Sequence, residues 1–447
     1  MATRIKITLK QRSLSGVEGR QSIVSALRLR SATGHAVTKS TFTLLFLVSF
    51  LYTCIAQAAE LPSSTKAQLH QIIGKLEKAG AQVGLEIDDL GTVKNPQQFP
   101  AQSNGASKVL FSHRATQSYM SASNWKLFTA FYALNSETTF DVFGDPGKLD
   151  EADDTFRATW IATEEPIDGK SVIEGNLYLW GNGDPSLNID QLQKAVLSLK
   201  EQGVTEVKGG VVGESNYFAE TMGERYPFGW TLDDSLWYYA PPITMLSINR
   251  NQVDVRVIGG EKAGDPAKVT YIQWLPDLEI ESHVTTGTKF LAEKSADELL
   301  HWNRFGKDGE RLEVTGYIAP GRSITQGIAL VNPSLIATKV LLRELQRVGI
   351  KVTGTAKVHE NLLDFTKSGA LYPVVTIPAP SLKDLLTQML KRSDNFYAEM
   401  ILRTSSNPAV TVDLLRSSFF TLLKTNGINT SGLRMEDGSG LSRYSLI

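Results

Sequence analysis

The sequence predicts an α+β protein: a helix-and-strand region at 60–145, a large, mostly β insertion at 146–325, and a largely helical return over 326–447. Two observations carry this. Apolar residues recur at helical spacing on either side of the middle, whereas the middle shows short β-rich runs between turn residues. The composition is that of a globular chain, 42% hydrophobic and 21% charged over 447 residues, which is long enough for two or three domains.

Residues 1–59 read as an export signal with a long basic head. Residues 1–41 hold eight basic groups and one acid; the remainder holds 38 basic and 46 acidic groups. The head runs into an apolar stretch at 42–56, and Ala56-Gln57-Ala58 supplies small residues for cleavage near Ala58 or Ala59. The stretch is short for a span, which needs about 20 apolar residues. An uncleaved anchor and a lipid-modified Cys54 are the alternatives. Cleavage removes Cys54, the sole cysteine, so the mature chain has no disulfide and depends on its apolar core. The expected location is the periplasm, with membrane contact only through the signal.

The elements follow in order. Leu69, Ile72, Ile73 and Leu76 give helical spacing over 65–78. Residues 82–91 alternate and then turn, and a second strand near 109–111 completes a hairpin. An apolar helix follows, with Ser123 and Lys126 expected in its first turn. In the middle, 172–180 and 253–258 read as strands and 189–202 as a helix that ends before Gly203. Helical spacing returns at 333–348, a strand fits 350–353, and helices are expected from 382, over 396–403 and over 412–424.

Ser123 and Lys126, three apart on a helix, would share one face. A lysine beside a serine hydroxyl can take its proton if desolvation lowers the lysine pKa, so Ser-x-x-Lys has the form of a nucleophile–base pair, although alone it equally describes two ordinary surface residues. Ser63 and Lys66 have the same form, but only Ser123 is followed by a strongly apolar helix. The second element is Ser393-Asp394-Asn395, whose hydroxyl and amide suit proton relay and substrate binding. All three residue types are also good helix caps, and Ser247-Ile248-Asn249 and Ser405-Ser406-Asn407 share the pattern.

Taken with their contexts, these stretches resemble the D-alanyl-D-alanine carboxypeptidase/endopeptidase family typified by bacterial penicillin-binding protein 4. Ser121-Ala-Ser123-Asn-Trp-Lys126 is similar to the nucleophile helix, and Lys391-Arg-Ser393-Asp-Asn395-Phe-Tyr-Ala-Glu399 to the second motif. Gly183-Asp-Pro-Ser-Leu187 and the run 229–242 resemble the inserted domain, and Asp437-Gly-Ser-Gly-Leu-Ser-Arg443 a loop of the family. The 270 residues between Ser123 and Ser393 fit a penicillin-binding, β-lactamase-like domain that carries a large insertion. Ser121 stands where the family usually has proline.

The resemblance implies roles. Ser123 attacks the carbonyl between two D-alanines and forms an acyl-enzyme, with its own N–H as half of an oxyanion hole. Lys126 is the general base. Ser393 relays a proton to the leaving amine, and Asn395 orients the substrate amide. Asp234 and Tyr238 match positions that meet a diaminopimelate side chain, and Arg443 one that meets a substrate carboxylate. Gly183-Asp184-Pro185 reads as a turn. The implied partners are peptidoglycan stem peptides, with β-lactam antibiotics as acylating inhibitors and no cofactor.

The family's third motif, Lys-Thr-Gly, does not occur in the sequence. Lys424-Thr425-Asn426 precedes the Gly-Ser-Gly-Leu loop, whereas the motif would follow it, so it reads as a helix end. The expectation is a C-terminally truncated chain with an open sheet edge and poor turnover. No metal-ligand pattern or phosphate-binding loop is present, and the acidic balance after the signal disfavours nucleic acid. A non-catalytic peptidoglycan- or penicillin-binding protein is the alternative function, and a β-lactamase or esterase a more distant one.

Overall fold

The computed structural model of the chain describes residues 2–9, 60–89, 108–136, 158–214, 225–306 apart from 274 and 277, 309–359, 371–405 and 412–447. The apolar run at 42–56, Cys54 and the cleavage site at Ala58 and Ala59 lie outside the described residues. Among the described residues no helix is long and apolar enough to cross a membrane. The chain divides into two compact units, Met1–Ser121 with Leu446–Ile447, and Ala122–Ser445.

In the first unit, strand β1 (Ala2–Leu9) lies parallel to β2 (Gln82–Asp89), which pairs antiparallel with β3 (Lys108–His113). Helix α1 (Ser63–Lys78) places Lys75 and Lys78 in its last turn, where cations favour the helix dipole. Leu69 and Ile73, four apart, bury against Val83, Leu85 and Ile87, the alternate residues of β2. β1 comes from the basic head that the sequence assigns to the signal. It lies along β2 in place of a bare edge. Met120 bridges Leu446, and the N–H groups of Tyr119 and Ile447 each donate to the other residue's carbonyl, at 2.8 and 2.9 Å.

The second unit opens with helix α2 (Trp125–Asn135). Strands β4 (Thr159–Thr163), β6 (Leu177–Trp180), β7 (Val211–Glu214), β8 (Ala356–His359) and β9 (Tyr372–Ile377) form a five-stranded sheet in the order β8-β7-β6-β4-β9. Helix α3 (Ile189–Glu201) begins with a reciprocal cap between Asn188 and Gln191 and packs against α4 (Pro333–Arg347). Both helices bury apolar faces in the core of that sheet, through Leu192, Val196 and Leu199 and through Ala337, Val340 and Leu341. Strands β8 and β9, from beyond residue 325, pair with β7 and β4 from before it.

The run 172–180 divides into β5 (Val172–Ile173) and β6, which lie in different sheets. Between them the chain turns at Gly175, whose carbonyl accepts from the N–H of Gly209 at 3.0 Å. A Cβ on Gly209 would collide with that carbonyl. Three further three-stranded sheets complete the β region. Helices α5 (Leu382–Arg392), α6 (Asn395–Thr404) and α7 (Val412–Thr425) match the sequence expectation and pack around α2. Trp125, fully buried, stacks on Phe419 with ring centroids 6.0 Å apart. Burying a side chain of this size contributes roughly 2–3 kcal/mol and anchors the start of α2.

Candidate active site

Ser123 lies not in the first turn of α2 but in a 3-10 turn, Ala122–Asn124, immediately before it. Ala122 has φ of 46°, a left-handed conformation that a Cβ disfavours. Opposite it sits Gly440, at φ of 74°, where a Cβ would strike the carbonyl of Ala122. Close packing by Gly440 therefore holds the strained turn and leaves Ser123 exposed. Trp125 and Lys126 turn inward, and only 2% of Lys126 is accessible.

The Lys126 Nζ meets three oxygens: Ser123 Oγ at 3.2 Å, Asn395 Oδ1 at 2.7 Å and the carbonyl of Ser439 at 2.9 Å. Burial lowers its pKa to about 8, although the carboxylates of Asp437, Glu399 and Asp394 pull in the opposite direction. Asn395, at the start of α6, also donates through Nδ2 to the carbonyl of Tyr239 at 2.8 Å. The structure thus brings Ser123 and Asn395, from the two motifs, to the same Lys126 amine. Ser393 ends α5 in a left-handed conformation, φ 55° and ψ 42°, and is exposed. A serine held there is strained, and such strain concentrates at functional sites.

Sequence reasoning missed the buried acids behind the lysine. Glu399 lies one helical turn beyond Asn395 on α6, and its Oε1 accepts the N–H groups of Gly438 and Ser439 at 2.9 and 2.8 Å. Burial, with the neighbouring Asp437 charge, raises its pKa to about 7. Asp437 accepts from Trp230 Nε1, Ser439 Oγ and the Ser442 N–H on Oδ2, and from the Gly440 N–H and Ser445 Oγ on Oδ1. Five donors on one buried carboxylate shape the loop that offers the Ser439 carbonyl to Lys126. The signal was present in Asp-Gly-Ser-Gly-Leu-Ser, which is rich in small residues and donors, but its partners were not legible.

The expected substrate-contacting residues are distributed as follows. Asp234 Oδ2 caps a 3-10 turn by accepting from the N–H of Thr231 at 3.3 Å and from its hydroxyl, and Oδ1 accepts from the Tyr239 hydroxyl at 3.1 Å. Tyr238 packs its ring edge-on to Tyr239 and donates its backbone N–H to Gly327. Tyr239, rather than Tyr238, links Asp234 to Asn395. Arg443 is exposed at the end of the Asp437 loop. Asp184 forms a turn by accepting the Ser186 N–H at 2.7 Å, and burial raises its pKa to about 6. Lys424 and Thr425 end α7. Among the described residues no group of three or more His, Cys, Asp or Glu is arranged to hold a metal.

This arrangement, with helices α2, α5, α6 and α7 around a serine–lysine pair, is a penicillin-binding fold. Penicillin binding protein 4 from Haemophilus influenzae superimposes with a TM-score of 0.61 over 76% of this chain and 70% of its own, at 21% identity. The profile of the D-Ala-D-Ala carboxypeptidase 3 (S13) family matches residues 81–447, and the chain belongs to that family. It is 26% identical over 348 residues to the D-alanyl-D-alanine carboxypeptidase of an Actinomadura species, covering 76% of this chain and 60% of the relative. It is 24% identical over 409 residues to the D-alanyl-D-alanine carboxypeptidase DacB of Haemophilus influenzae, covering 90% and 75%. The chain thus spans 60–75% of the length of these two relatives.

Proposed function

We propose that this chain is an exported, periplasmic serine-type D-Ala-D-Ala carboxypeptidase/endopeptidase acting on peptidoglycan stem peptides through an acyl-enzyme on Ser123. One observation carries the proposal: the three oxygens around Lys126 are not equivalent. The Ser439 carbonyl and Asn395 Oδ1 only accept, whereas the Ser123 hydroxyl both donates and accepts. A neutral lysine has two N–H bonds and one lone pair. With both N–H bonds given to the pure acceptors, the lone pair faces the Ser123 proton.

Ser123 Oγ then adds to the carbonyl carbon between the two D-alanines while its proton passes to Lys126 Nζ. The developing oxyanion takes a hydrogen bond from the Ser123 N–H. The intermediate collapses as the C–N bond breaks, and the proton returns through the Ser393 hydroxyl to the departing amine. Water then cleaves the ester and restores Ser123. Asn395 holds the lysine on one side and presents its amide to the substrate. Asp234, Tyr238 and Arg443 are the proposed side-chain and carboxylate contacts of the stem peptide. A β-lactam would acylate the same hydroxyl by opening its ring; one solved penicillin binding protein 4 was crystallised with a novel β-lactam.

The test is covalent labelling. A fluorescent penicillin should form a stable adduct on Ser123 in the full chain, and Ser123→Ala should take no label. Labelling that survives Ser123→Ala would overturn the assignment. D-Ala release from a pentapeptide distinguishes turnover from a protein that only captures penicillin.

A further inference from the structure

We propose that Arg250 is a positioning residue for the second motif, anchoring Ser393 and Asn395 through the carboxylate of Asp394 that stands between them. The proposal rests on Ser123 being the nucleophile of this site, because it concerns the loop facing that hydroxyl.

Asp394 is tied at both ends. Its Oδ1 accepts the N–H of Tyr397 at 3.2 Å, which caps α6, and its Oδ2 lies 2.6 Å from Arg250 Nη2. Only 2% of the Asp394 side chain is accessible, against 34% for Arg250. The cap alone would account for the start of α6. It does not account for the arginine, which comes from a remote segment and is held in a costly conformation. Asn249, Arg250 and Asn251 are all left-handed, with φ of 49°, 59° and 53°. Asparagine tolerates that region; arginine does so poorly.

The two asparagines enforce the bend. Asn249 accepts the Ile189 N–H at 3.3 Å, donates to Gln273 at 2.9 Å and gives its own N–H to the Leu187 carbonyl at 2.8 Å. Asn251 is wholly buried, accepts the Ile248 N–H at 3.1 Å and donates to the Pro242 carbonyl at 2.8 Å. Strain of this kind persists only where surrounding structure over-determines it. Here it directs one guanidinium at the middle residue of the second motif. On one side of that residue Ser393 is itself left-handed; on the other Asn395 bonds Lys126 and Tyr239. A buried ion pair is weak evidence for stability, and its best-attested use is to fix register. With Arg250 removed, the Asp394 carboxylate loses its charge partner and the two functional side chains beside it lose their anchor.

The experiment uses the full chain and four variants: Arg250→Ala, Arg250→Lys, Asp394→Asn, and the Arg250→Ala/Asp394→Asn double. Acylation by fluorescent penicillin should slow about 10–100-fold in Arg250→Ala, the scale of a small misplacement in a site. Arg250→Lys should recover most of the rate. In the Asp394→Asn background Arg250→Ala should cost less than about twofold, since residues that act through one contact are not additive. Amide exchange over 393–397 should rise in Arg250→Ala while α7 stays protected. Wild-type acylation in Arg250→Ala, independent multiplication of the two effects, or slowing matched by loss of melting temperature with unchanged exchange at 393–397 would each overturn the proposal. A wild-type chain that takes no label would sink the nucleophile assignment instead, and the exchange at 393–397 would then decide the role of Arg250 alone.

Discussion

Titrating Lys126 is the sharpest test of the chemistry. Its pKa of about 8 lies below the ordinary 10.5 because burial outweighs the attraction of Asp437, Glu399 and Asp394. At pH 7 roughly one molecule in ten then carries the neutral amine, against about one in three thousand for an ordinary lysine. The shift makes the base about 300-fold more available, equivalent to about 3 kcal/mol. Acylation of Ser123 by fluorescent penicillin, followed from pH 5.5 to 9.5, should therefore rise about tenfold per unit below pH 8 and level off above it. Lys126→Arg, charged throughout, should show no such rise and fall short by about 10²–10⁴ at the plateau, the usual contribution of a general base. A rate independent of pH between 6 and 9, a rise only near pH 10.5, or a Lys126→Arg rate within tenfold of wild type would refute the assignment. Stability follows the same proton. The unfolded lysine binds it more tightly than the folded one, so the contribution of Lys126 is constant and unfavourable below pH 8. It improves by about 3 kcal/mol as pH rises from 8 to 10.5.

Two further substitutions probe the same site. In Glu399→Gln the amide oxygen can keep both bonds that Oε1 accepts from Gly438 and Ser439, but one negative charge beside Lys126 is lost. The acylation midpoint should move below pH 8; an unchanged or higher midpoint would mean that Glu399 does not hold the lysine charged. Because the folded Glu399 binds its proton more tightly than the unfolded, wild-type stability should decline as pH rises from 4.5 to 7, and Glu399→Gln should abolish that slope in denaturant titrations. Gly440→Ala forces a Cβ onto the Ala122 carbonyl at a left-handed position. It should cost about 1–3 kcal/mol in thermal unfolding and slow acylation as well; an unchanged rate would separate the Gly440 contact from the placement of Ser123.

What could be read from the sequence was local. The spacing of Leu69 and Ile73 marked α1, and that of Leu385, Leu386 and Met389 marked α5, because a helix repeats on a scale the chain itself displays. The proximity of Ser123 to Lys126 is also local, three residues along one turn. Even there the tertiary structure changed a detail: packing of Gly440 against Ala122 draws Ser123 into a 3-10 turn ahead of the helix. Ser247-Ile-Asn249 has the same Ser-x-Asn form as the second motif but lacks its flanking residues, and its environment differs. Ser247 is buried and donates to the Thr244 carbonyl at 2.7 Å, within the bend that aims Arg250.

By itself the sequence determined the helices, the three-residue spacing of Ser123 and Lys126, and the family. Tertiary structure alone decided what surrounds the lysine: Asn395 lies 269 residues away along the chain and Ser439 313. A buried polar group takes whichever partners packing delivers to it, and nothing in local spacing specifies them. The choice of Tyr239 over its neighbour, the five donors gathered on Asp437 and the reach of Arg250 to Asp394 all arise in that way. They depend on which side of a turn each side chain leaves, and that is settled only when the strands and helices close around it.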